Sequence, residues 1–193
     1  MDIVTDIKEL VEKNGKFYIE GKDIPFTGKV KGQVSGFFKD GFAKGEIKEF
    51  YESGSVYSIG NYINGELTGK YEEYHKNGNL KIKGHVVDGK WHNEYSEYFD
   101  NGNIRENAKY FKGTLEGTFI SYFKNGSIKE KRNYKNGKLE GNFYCYYKNK
   151  KILIKNHYLK GKLDGERFIY YDNGKLEKKE HYKNGINILK PYH

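Results

Sequence analysis

The chain has 193 residues, enough for one good-sized domain or two small ones whose core needs no disulfide staples. Nineteen Tyr, twelve Phe and twenty-four Gly, against two Pro, one Met and one Cys, exclude a disulfide framework and favour many short strands joined by glycine turns. The net charge of +9 is uneven, because residues 118–193 hold 18 basic and 7 acidic groups, whereas residues 46–117 hold 9 and 12; a basic final third is drawn to acidic surfaces.

Residues 1–23 mix lysines and acids without a long apolar run, so they fit neither a secretory leader nor an anchor, and no stretch approaches the roughly 20 apolar residues of a spanning helix. A soluble, cytoplasmic protein is expected, provided no leader was removed ahead of Met1. Within "DIVTDIKELV", residues 2–11, Ile3, Ile7, Leu10 and Val11 share a helical face and predict a short N-terminal cap. The overlapping "LVEKNGKFYI" also fits a hairpin around Asn14 and Gly15. Residues 1–45 are therefore expected to form a cap and an irregular first repeat.

From residue 46 the chain keeps a period of 24. One glycine series runs 54, 78, 102, 126 and 174, with Lys150 in the vacant place. A second runs 41, 65, 89, 113, 137, 161 and 185 without a gap, and a third runs 45, 69, 117, 141 and 165, with Asn93 in its vacancy. Side chains follow: Tyr74, Tyr98, Tyr122, Tyr146 and Tyr170 form one column, and Leu80, Ile104, Ile128, Ile152 and Leu176 another. Asn-Gly or Asp-Gly between apolar runs is a strong hairpin signal, because the tight turns require positive φ. Two glycine turns per unit leave room for two strands of about 6–8 residues. Residues 46–189 thus predict six hairpin repeats in one continuous domain, an elongated, twisted open antiparallel sheet with aromatic rings on both faces. The last strand is expected to stop near Pro191, leaving a tail at 190–193. If the turn geometry persists at Lys150, that lysine adopts the positive φ of its sister glycines, at about 1–2 kcal/mol.

The unit "YYxNGxL…YxNGxLxG" resembles the MORN repeat, and more closely the variant found in bacterial antitoxin-like proteins. "GKFYIEGKDIPFTGKV", residues 15–30, is similar to the segment that precedes the repeats in that family. The resemblance implies an open sheet of hairpins that holds a partner protein, in some cases as the antitoxin of a toxin pair. Related eukaryotic repeats are associated with membranes and phosphoinositide kinases, but a chain filled by repeats has no room for a kinase domain.

Chemistry-bearing motifs are sparse. The Gly-Lys pairs are never followed by Ser or Thr, so none is a phosphate-binding loop, and no cofactor is expected. The six His are isolated, which argues against a metal site. Cys145, between Tyr144 and Tyr146, fits a packing residue better than a nucleophile. Glu72 and Glu73 point to opposite faces and make a poor acid–base pair. A glycan-cleaving enzyme needs two facing carboxylates, to be drawn in the basic third from Glu130, Glu140, Asp164, Glu166, Asp172, Glu177 and Glu180; no catalytic residue is expected.

Two features suit binding instead. The tyrosines Tyr98, Tyr122, Tyr146 and Tyr170 form a ladder, useful at interfaces because the ring is apolar and the hydroxyl polar. Lys131, Lys155 and Lys179 form a basic ladder, with Lys148, Lys150 and Lys151 in the turn beside it. The expectation is a non-catalytic scaffold for a partner protein, with acidic phospholipid headgroups as the alternative. Nucleic acid is disfavoured, since no recognition helix or single-strand-binding barrel is seen.

Overall fold

The computed structural model describes residues 3–188, and their backbone is almost entirely strand. The repeat period has a direct backbone cause. In the second glycine series the residue before each glycine is also left-handed, as at Asn64 (φ 51°) and Gly65 (φ 82°), which is the type I′ turn that suits the twist of paired strands. In the first series a turn closes through the glycine, as where the Gly78 amide donates to the His75 carbonyl at 2.8 Å. The third series marks breaks in the ladder: Gly69 (φ 77°) lies where Gly60 pairs with Tyr71 but Asn61 pairs with Thr68. Asn93 takes φ 62° in the same column.

The chain divides into two compact units. One runs to His92 and includes Asp100–Gly102, and the other holds Asn93–Phe99 and continues from Asn103. In the first unit the strands Val34–Lys39, Phe42–Phe50, Val56–Ile63, Glu66–Tyr74 and Leu80–Val87 pair antiparallel in sequence order. Its core is closed by the N-terminal segment. Leu10, Phe26, Val30, Phe38 and Ile47 form a buried cluster, with Phe17 meeting Phe38 edge to face at 5.2 Å.

The N-terminal helix expected over residues 2–11 is replaced, among the described residues, by a strand Val4–Asp6, one 3-10 turn Ile7–Glu9 and a hairpin of Leu10–Lys13 with Lys16–Ile19. The alternative hairpin around Asn14 and Gly15 is the one observed. Two pairings outweigh helix propensity. Val4–Asp6 adds a parallel edge strand to Gly28–Lys31, and the hairpin docks through Phe17, whose amide donates to the Gly41 carbonyl at 2.9 Å.

In the second unit Gly117–Tyr122, Ile128–Lys135, Gly141–Tyr146, Ile152–Leu159, Gly165–Tyr170 and Leu176–Lys183 continue the hairpin pattern. The fold is thus all-β, with open antiparallel pairing of hairpin repeats. Neighbouring repeats are tied at both ends of their hairpins. At one end the Asn103 side chain donates to the Lys124 carbonyl at 2.9 Å and Asn149 to the Asp172 carbonyl at 2.9 Å. At the other, the carboxylates of Glu116, Glu140 and Asp164 accept the amides of Asn136, Lys160 and Asn184 in the next turn, at 2.7, 2.7 and 3.1 Å. The expected stop near Pro191 and the tail 190–193 lie outside the described residues.

Candidate functional site

The second unit sorts its side chains between two faces, because directly paired residues project to the same side. One face is packed. Tyr95 meets Tyr110, Phe119 meets Tyr134 and Phe143 meets Tyr158 edge to face at 5.7, 6.4 and 6.0 Å, and the Arg132 guanidinium lies 4.3 Å from the Phe119 ring centre. Ala108 and Phe119 are buried on it. It also carries carboxylates: Glu97 is directly opposite Glu106, and Glu130 opposite Ser121. Burial, and then Glu97, push the Glu106 carboxyl above its ordinary pKa.

The other face collects the lysines. Successive pairings place Ile120, Lys131, Tyr144, Lys155, Phe168 and Lys179 in one row across six strands, so apolar side chains and lysines alternate. Beside it Tyr122 pairs with Ile128, Tyr146 with Ile152 and Tyr170 with Leu176, and Ile128 and Leu176 are exposed. Tyr98 pairs with Ile104 in the same manner. Lys131 and Lys179 are exposed and Lys155 half-buried. Tyr144 stacks on Tyr146 and Phe168 on Tyr170, each at 6.3 Å. The ammonium groups of Lys155 and Lys179 lie 5.8 and 5.3 Å from the Phe168 ring centre. Lys179 also pairs with Glu166 at 2.5 Å, a hydrogen bond that holds the Glu166 carboxyl below the usual range.

The three ladder lysines and the tyrosine column therefore share a face. The turn lysines differ from one another. Lys148 and Lys150 are exposed, but the Lys151 ammonium donates to the Asn173 carbonyl at 2.8 Å and links neighbouring turns. Lys150 does adopt the left-handed backbone, at φ 69°. No local pattern signals the Glu166 partner of Lys179, since a cross-strand contact depends on register.

Five of the seven carboxylates considered for hydrolytic chemistry have partners. Glu140 and Asp164 cap turns, Glu166 pairs with Lys179, Glu130 with Arg132 at 3.6 Å, and Glu180 with Lys178 at 2.7 Å. Burial, and then Glu130, push the Cys145 thiol up and away from the reactive thiolate. Among the described residues, no group of three or more His, Cys, Asp or Glu side chains is arranged to hold a metal ion, and no helix is long and apolar enough to cross a membrane.

A family model described as MORN repeat variant matches six segments of the chain, residues 44–64, 67–88, 91–112, 115–136, 139–160 and 163–184. No curated protein matches it.

Proposed function

Because the chain belongs to the MORN repeat variant family, whose repeats generally serve as binding scaffolds, we propose that it is a non-catalytic scaffold that holds a partner protein against the lysine-bearing face. The observation that supports this is the row Ile120, Lys131, Tyr144, Lys155, Phe168 and Lys179, which offers apolar area and positive charge on the side opposite the packed rings. In the same proposal residues 1–45 act as cap and irregular first repeat, 46–189 as one run of six repeats, and 190–193 as a tail. Its finer parts are a bacterial, cytoplasmic protein and a toxin as the partner.

Native purification from the host tests the scaffold, comparing the wild-type chain with a Lys131→Glu, Lys155→Glu, Lys179→Glu triple variant. A stoichiometric protein that accompanies the wild type and is lost from the variant is expected. Absence of any such protein, or equal recovery with both chains, refutes it. The toxin assignment requires further that co-expression of the wild-type chain relieves growth arrest caused by the recovered partner.

The net +11 of residues 118–193 favours a second reading, attraction to acidic lipid headgroups, at about 1 kcal/mol per basic residue near the surface. Sedimentation with vesicles at low salt tests it, and equal binding with and without acidic lipid removes it.

A further inference from the structure

We propose that the lysine row takes one flexible, extended segment of the partner, laid across the strands, with an acidic side chain at every third position and apolar side chains between. This rests on the scaffold reading and names what the scaffold holds.

The spacing leads to it. Lys131, Lys155 and Lys179 recur at every second strand, so neighbours in the row stand about 9.4–9.8 Å apart. A chain in the extended threefold conformation rises about 3.1 Å per residue and returns to the same side after three residues, about 9.3 Å. Carboxylates three residues apart therefore match the spacing of the three lysines along the row, the chain turning gradually with the twist of the strands, and at Lys179 the incoming carboxylate replaces Glu166. An α-helix returns to its face after about 10.5 Å in seven residues, and a β-strand at about 6.6–6.8 Å, so both drift out of step. Ile120, Tyr144 and Phe168 keep the same period half a step away, ready for the apolar side chains.

Two other acidic occupants fit less well. Adjacent strands turn by about 20–25°, so Lys131 and Lys179, four strands apart, point about 80–100° apart. A flat membrane cannot meet both, whereas a flexible chain follows the row. Single-stranded nucleic acid needs open ring faces for its bases. Here Tyr146 stacks on Tyr144, Tyr170 stacks on Phe168, and Lys155 and Lys179 lie over the Phe168 ring. Phe168 is thereby covered, and one face each of Tyr144, Tyr146 and Tyr170 is already taken.

The test uses the full chain and peptides of four Glu-Ser-Leu repeats, against peptides of identical composition with the glutamates bunched at one end. Titration calorimetry at low salt is expected to give about tenfold tighter binding for the periodic peptide. Lys155→Glu is expected to abolish that preference, and Lys131→Glu, at an exposed site, to reduce it without altering the melting curve. Equal affinity for the two peptides overturns the periodic register. So does tighter binding to a poly-thymidine oligonucleotide or to phosphatidylserine vesicles than to the periodic peptide, or a concentration-dependent dimer lost in Lys155→Glu. If the register fails while the triple variant still loses its native partner, the scaffold reading stands and only the periodic segment is refuted.

Discussion

At Lys150 a lysine occupies a place built for glycine. Its amide donates to the Tyr147 carbonyl at 2.9 Å and the Tyr147 amide donates to the Lys151 carbonyl at 2.8 Å, the same pattern its sister turns make around Gly78 and Gly126. The turn geometry is thus kept and the side chain bears the strain of φ 69°. Lys150→Gly should raise stability by about 1 kcal/mol in urea denaturation, because the relief of strain exceeds the added freedom of the unfolded chain. Unchanged stability would show that the lysine costs nothing there. Glu106 offers a pH-dependent counterpart. Its carboxyl is raised in the fold by burial and by Glu97, so its penalty is absent below the ordinary glutamate range and grows as pH rises through the folded value. Glu106→Gln should therefore stabilise the protein near pH 7, with the gain vanishing near about pH 4. A gain equal at both values would mean packing, not charge. Lys150 was legible in the sequence as a gap in a series, whereas the Glu97–Glu106 opposition was not, since it depends on strand register.

The hairpins were legible because each turn writes its backbone demand into one or two residues, such as Asn136 (φ 50°) before Gly137 (φ 74°). What joins one hairpin to the next was not. The carboxylate of Glu140 reaches the amide of Lys160 at 2.7 Å, a contact between residues 20 apart that no local pattern announces. Glu140→Ala should lower stability by about 1 kcal/mol, measured by thermal melting, while Glu177→Ala, for which the structure shows no such turn contact, should change it by less than about 0.5 kcal/mol. Equal losses would remove the capping role. The N-terminal segment is the converse case. Its apolar spacing satisfied a helix and a hairpin alike, and the choice fell to docking: Phe17 packs on Phe38, and Val4–Asp6 pairs in parallel with Gly28–Lys31.

At the scale of the molecule, the buried apolar cluster among the described residues lies in the first unit, where the N-terminal segment packs on the strands. Phe26, 3% exposed in that cluster, is accordingly one of the side chains whose loss should be felt strongly. Phe26→Ala is expected to cost about 3–5 kcal/mol by chemical denaturation, whereas truncating a half-buried ring such as Tyr146 should cost less. Comparable losses would mean that stability is spread evenly along the repeats. The sequence by itself determined the repeat, its period, its turns and the all-β class, because positive φ and side-chain alternation are local constraints that recur in every unit. Only the tertiary structure decided how residues 3–19 fold, which face of the second unit is packed and which presents Lys131, Lys155 and Lys179, and which charges are already paired. Those outcomes depend on cross-strand register and on contacts between distant residues, where the same local pattern admits more than one partner.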